Sequence, residues 1–241
     1  MAGHSKWANI RHRKGRQDVL RGKINTKLVR EITVAAKEGG GDASSNPRLR
    51  LALEKANKAN VTKDSIKRAI DKGTGVLEGD NYQEVAYEGY GPSGVAVMVF
   101  CLTDNKNRTV AEVRHAFSKY GGNLGTSGSV DYLFARKGVI HCCEVVDEEA
   151  LMDCALEAGC EDVFAVDVGY YVVQTLPEDF DTVLQAVQEK GYQCEKAELS
   201  WVADNTIALD AEQTEKLLTL QDALEDLDDT QSVYTNAECA Q

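Results

Sequence analysis

No stretch of 18 or more apolar residues occurs in the chain, so no segment of it reads as a membrane-spanning helix. The amino end lacks the apolar run that follows the basic start of a secretory signal, and a soluble protein of the cytoplasm is expected. The four histidines, His4, His12, His115 and His141, show neither His-x-x-x-His nor His-Glu-x-x-His spacing, which removes the simplest helical zinc sites. None of the seven cysteines belongs to a Cys-x-x-Cys pair, their number is odd, and several lie in apolar runs. Reduced, mostly buried thiols fit this usage better than a disulfide framework or a metal site. Cys142 and Cys143 are adjacent in a strand-like run and would point to opposite faces, so they do not ligate together. The glycine-rich Gly121-Gly122-Asn123-Leu124-Gly125-Thr126-Ser127-Gly128 lacks the Gly-Lys-Ser/Thr ending of a phosphate loop and precedes a strand, which makes it a connector. Neither catalytic residues nor a cofactor nor a metal is expected, and the chain reads as a non-enzyme.

Charge is present in quantity, and its distribution is uneven. Residues 1–75 hold 18 of the 27 Lys and Arg but only 7 of the 39 Asp and Glu. The formal charge of −12 is therefore the sum of about +11 in that segment and about −23 in the remainder. A polyphosphate would be drawn to the first part and repelled by the second.

Residues 1–17 carry Lys6, Arg11, Arg13, Lys14 and Arg16 interleaved with His4, Trp7 and His12, without apolar periodicity, and read as a basic arm. From Gln17 to Glu38, Leu20, Ile24, Leu28, Ile32 and Ala35 recur at helical spacing, stopped by Gly39-Gly40-Gly41. Asn46-Pro47 starts a second helix with the stripe Leu49, Ala52, Leu53, Ala56; Thr62 caps a third, with Gly73 just past its end. Three short amphipathic helices bury their stripes only together, so a small helical domain is expected over 1–75. Beyond Gly75 the pattern changes to strands and helices. Val95–Leu102 reads as a buried strand, 107–120 as a helix and 130–140 as the next strand. Strands near 139–146, 162–168, 169–176 and 193–201 alternate with helices over 148–158 and 177–190, the order of a ferredoxin-like split βαβ unit. A helix over 210–227 and a strand over 232–239 are left over. They supply the half that the segment 80–138 lacks, which places the complete block 139–204 as an insertion in a discontinuous domain of 80–138 and 205–241. The expected class is multi-domain α and α+β: an N-terminal three-helix domain plus two ferredoxin-like α+β domains, one inserted in the other.

Arg16, Lys23, Lys27, Arg30 and Lys37 are spaced to share one face of the first helix, and Lys63, Lys67 and Lys72 extend the patch from the third. The surplus of positive charge favours an anion-binding face over a solvated one. Trp7 either stacks on an unpaired base or anchors the arm by packing. The expected nucleic-acid contacts are thus Lys6, Trp7, Arg11, Arg13, Lys14, Arg16, Lys23, Lys27, Arg30, Lys37, Lys63 and Lys67. Asp104-Asn105-Lys106-Asn107-Arg108-Thr109 follows a strand, where turn chemistry and a small-molecule pocket are both open readings. The acidic Glu225-Asp226-Leu227-Asp228-Asp229 reads as a solvated turn.

Several motifs resemble the YebC/PmpR family: Gly3-His4-Ser5-Lys6-Trp7, Arg21-Gly22-Lys23-Ile24, Arg30-Glu31-Ile32-Thr33, Asn46-Pro47-Arg48-Leu49-Arg50 and Arg68-Ala69-Ile70. The match continues through Tyr87-Glu88-Gly89-Tyr90-Gly91-Pro92, Leu102-Thr103-Asp104-Asn105, Asn107-Arg108-Thr109-Val110 and Gly121-Gly122-Asn123-Leu124-Gly125. The resemblance spans nearly the whole chain and implies three domains, with the last α+β block inserted, in a non-enzymatic cytoplasmic protein. Members of that family are described as DNA-binding transcriptional regulators. Relatives, among them the mitochondrial translational activator of cytochrome c oxidase, act in translation and help ribosomes through proline-rich stretches. The implied partner is therefore DNA, or ribosomal RNA on the ribosome, with protein partners for the acidic domains and no membrane. Two positions depart from the pattern: Asn25 stands where many members have Phe, and Phe100 where an acidic residue is common. The first weakens base stacking at that place; neither touches the basic stripe.

Overall fold

The structure, a computed structural model, describes residues 21–79 and 81–239. The chain forms two compact units, one from the described part of residues 13–129 with 216–233, the other from residues 130–215 with the described part of 234–241.

The first unit begins with three helices, α1 (Arg21–Gly39), α2 (Pro47–Lys58) and α3 (Lys63–Gly73). Ile32, Ala35 and Ala36 of α1 pack with Leu49, Ala52 and Ala56 of α2 and Ala69 of α3. Full burial of a side chain such as Ile32 or Leu49 contributes about 1.5–3 kcal/mol. Asn46 joins the first two helices: its Oδ1 accepts from Leu49 N at 3.0 Å as the N-cap of α2, and its Nδ2 donates to Ala35 O and Gly40 O at 2.8 Å each. Gly73 was expected beyond the end of α3 but lies within its last turn. A Cβ there would come within 2.3 Å of Thr33 O and 2.7 Å of Ala36 Cβ, so this glycine sets how closely α3 approaches α1. Gly75, with φ +80°, makes the left-handed turn instead.

The same unit holds the sheet of β1 (Gln83–Tyr90), β2 (Ala96–Thr103), the short β3 (Asn123–Leu124) and β9 (Thr230–Thr235), in the order β3-β1-β2-β9. β1 and β2 are antiparallel, in register from Gln83 opposite Thr103 to Tyr90 opposite Ala96. Helix α4 (Lys106–Lys119) contributes Val113 and Phe117 to the core, and α7 (Ala211–Glu225) contributes Leu217, Leu220 and Leu224, all at 0% exposure. Most of the carboxyl-terminal helix α7 and the start of β9 thus belong to this unit, residues 216–233 joining 13–129. The sequence reading lacks β1, however, and the hairpin β1-β2 forms the centre of the sheet, where a ferredoxin unit has its hairpin at an edge.

In the second unit, β4 (Phe134–Cys143), α5 (Glu148–Glu157), β5 (Asp162–Asp167), β6 (Tyr170–Thr175), α6 (Phe180–Glu189) and β7 (Gln193–Ala203) form a sheet of order β5-β6-β4-β7 with every neighbour antiparallel. This is the ferredoxin-like arrangement. Ile140, Leu151, Val173, Val183 and Val187 fill its core. The expected strands 130–140 and 139–146 are one strand, β4; residues Asp131–Leu133 before it form a 3-10 turn that leaves Tyr132 71% exposed. Two short parallel strands, β8 (Ile207–Ala208) and β10 (Ala237–Glu238), close the unit. All seven cysteines are free, four of them buried. Among the described residues no helix is long and apolar enough to cross a membrane.

Candidate nucleic-acid interface

Three cations of the α1 stripe have partners at the end of α7. Lys23 Nζ donates to Asp226 O at 2.9 Å and lies 3.4 Å from Asp226 Oδ1, and Lys27 Nζ donates to Glu225 O at 2.8 Å. Arg30 Nη1 donates to Asp228 O at 2.6 Å and Asp229 Oδ1 at 2.8 Å, while its guanidinium lies 5.2 Å from the centre of the Tyr82 ring. The acidic run 225–229, expected as a solvated turn, is therefore the counter-surface of α1. Its carbonyls close the carboxyl end of α7, where the helix dipole is negative and cations are favoured. Burial lowers the pKa of Lys27 from its ordinary value, with the Glu225 charge opposing the shift. These three residues, expected as contacts for an external polyanion, each have a partner within residues 225–229. Helical spacing places the cations on one face, but says nothing of a helix end and turn about 200 residues away that meet three of them.

Asp229 is the centre of this contact, its side chain 1% exposed. Oδ1 accepts from Arg30; Oδ2 accepts from Arg108 Nη2 at 2.7 Å, Thr109 Oγ1 at 2.7 Å and Thr103 Oγ1 at 3.0 Å. Burial alone would raise its pKa, but the hydrogen bonds from Arg108, Thr109 and Thr103 outweigh it and the net shift is downward. Arg108 also pairs with Asp104 at 2.8 Å, and Asn105 Oδ1 accepts from Arg108 N at 3.1 Å to cap α4. The strand-end motif 103–109 is thus spent on holding the Asp229 carboxylate and capping a helix. Of the side chains at Asn105–Arg108, Asn105 bonds a backbone N–H and Arg108 bonds Asp104 and Asp229.

The other expected contacts divide into three groups. Lys6, Trp7, Arg11, Arg13, Lys14 and Arg16 lie outside the described residues. Lys37 is exposed and donates to Asn81 Oδ1. Lys63 and Lys67 stand exposed on α3, together with Arg68 and Lys72, and among the described residues these four make no ion pair. Arg50 and Lys58 of α2 are likewise exposed and unpaired among the described residues. The sequence reading did not single out Arg68, Arg50 and Lys58 among the basic residues. Arg68 follows Asp64 by four residues, a spacing that suggests a pair within the helix, and none forms. By contrast, Arg48 bridges Glu38 and Glu84, and Lys55 pairs with Glu31 at 3.1 Å. Exposed cations without an ion pair among the described residues thus lie on α3 and α2, and also at Lys37 of α1 and at Lys106, Arg114 and Lys119 of α4.

Comparison with known proteins covers the same ground from outside. Residues 5–76 match the model of the TACO1/YebC protein N-terminal domain, and residues 82–237 that of the TACO1/YebC second and third domain. A protein of Idiomarina loihiensis named "probable transcriptional regulatory protein" is 58% identical over 238 residues, 99% of this chain and 96% of that one. One of the same description from Francisella tularensis subsp. novicida is 56% identical over 241 residues, 100% and 97% of the two chains. A crystal structure of a conserved hypothetical protein from Aquifex aeolicus superposes with a TM-score of 0.82 at 47% identity, covering 93% of both chains.

Proposed function

The chain belongs to the TACO1/YebC family, and on that footing we propose that it is a DNA-binding regulator of transcription that holds the phosphate backbone through the exposed basic face of α3 and the basic residues ahead of α1. One observation carries the reading. Lys23, Lys27 and Arg30 have intramolecular partners, while Lys63, Lys67, Arg68 and Lys72 have no ion pair among the described residues. Cations left unmatched on one helix, in a chain of net charge −12, mark where a polyanion meets least opposition. The names of the relatives support a regulator of transcription, and the reading includes no catalytic step, no cofactor and a cytoplasmic setting.

A competing reading is ribosomal RNA bound during translation. It draws on the acidic remainder, whose 32 carboxylates oppose the wrapping of a long duplex. The test is fluorescence anisotropy of a labelled 30-bp DNA duplex and a labelled ribosomal RNA hairpin against the full chain over a salt series. Binding to DNA should weaken steeply with salt, and Lys63→Glu with Lys67→Glu should reduce the slope by about 2, about one per lost phosphate contact. Preferential binding of the hairpin would replace the transcriptional reading with the translational one.

A further inference from the structure

Resting on the DNA reading above, we infer that α2, the turn after it and α3 form a helix-turn-helix whose second helix enters the major groove of B-form duplex DNA. The motif requires two helices joined by three or four residues, braced by a third helix. Here residues 59–62 join α2 to α3, and α1 packs against both. The turn is fixed at each end. Asn60 takes φ 59°, a left-handed conformation that Asn tolerates better than most residues. Its N–H bonds Asn57 O at 3.1 Å and that of Val61 bonds Ala56 O at 2.9 Å, the paired bonds of a Schellman turn. Val61 is then buried, and Thr62 Oγ1 accepts from Ser65 N at 3.2 Å to start α3 at once.

The inner faces suit close packing. Ala56 beside the turn is 0% exposed, Ala69 of α3 is 2% exposed, and Gly73 leaves no room for a Cβ against α1. Small residues on this side bring α3 down on its support and leave its other side outward. On that side the first two turns present Lys63, Asp64, Lys67 and Arg68, all exposed. The amino-terminal part of the second helix is what such a motif offers to base edges. Lysine there suits guanine O6 and N7, and an aspartate accepts from cytosine N4. Arg50 and Lys58 on α2 are placed for the flanking phosphates. An α-helix about 10–12 Å across fits the B-form major groove, about 12 Å wide, whereas the deep narrow groove of A-form RNA does not admit it.

The experiment is selection by the full chain from a randomised 20-bp duplex DNA library. Guanine N7 methylation protection on a selected duplex follows, with an RNA duplex of the same sequence as competitor. A short motif containing G·C pairs should be enriched and its guanine N7 atoms protected, and the RNA duplex should compete about tenfold less well or worse. Asp64→Asn should shift the selected motif, and Lys63→Gln with Lys67→Gln should remove N7 protection with an unchanged melting temperature. DNA bound without enrichment or N7 protection, or RNA competing equally, overturns groove insertion and leaves a phosphate-binding regulator standing. No binding to either duplex overturns both readings.

Discussion

Asp229 shows what one residue carries when it is enclosed. Its carboxylate is the acceptor for Arg30, Arg108, Thr103 and Thr109 at once, so its loss takes an acceptor from two guanidiniums and two hydroxyls. Asp229→Ala should lower stability by about 3–5 kcal/mol, the usual cost of removing one member of a buried ion pair, as read from urea denaturation at neutral pH. The pH dependence has a definite sign. Because the folded pKa of Asp229 is depressed below the ordinary carboxyl value, its contribution is complete above about pH 4 and fades as pH falls through the lower folded value. The urea midpoints of wild type and Asp229→Asn should therefore differ most at pH 6–7 and converge as the pH falls below the ordinary carboxyl value. A gap that stays constant across that range would show that the carboxylate's charge is not what matters.

Among the elements, the helical trio was legible because its signals are local: Asn46-Pro47 and Thr62 cap helices as their residue types require, and the apolar spacing names the faces that pack. Gly73 was misplaced because a packing glycine and a terminating glycine look alike in sequence; only the 2.3 Å approach to Thr33 O tells them apart. Gly73→Ala should consequently destabilise by about 1–3 kcal/mol through overpacking, despite the better helix propensity of alanine, and a thermal melt would register it. Gly75→Ala acts differently, through its left-handed φ, and touches nothing. Strand β1 escaped notice because Gln83, Glu84 and Glu88 break its apolar alternation, and Glu88 is buried at 5% exposure against the usual preference of its type. The interface was legible only in part. Spacing identified Lys63 and Lys67 as exposed cations, but the partners of Lys23, Lys27 and Arg30 are set by tertiary contact and leave no local signal.

For the molecule as a whole, charge is arranged at two ranges. At long range, the basic amino-terminal segment stands against an acidic remainder; at short range, the end of α7 already neutralises much of α1. Reversing Lys23, Lys27 and Arg30 to Glu together should therefore lower the melting temperature by several degrees, since like charges would then meet at Asp226 and Asp229. Lys63→Glu with Lys67→Glu should leave it within a degree or two, because both side chains are exposed and make no ion pair among the described residues. Differential scanning calorimetry of the two variants separates a structural stripe from a surface one. The clasp between α1 and residues 225–229 also has a temporal side. Its hydrogen bonds join residues about 200 apart in sequence, and synthesis is vectorial, so a growing chain carries α1 without these partners until residues 225–229 have been made. During that interval Lys23, Lys27 and Arg30 lack the acceptors that Asp226, Glu225 and Asp229 later supply.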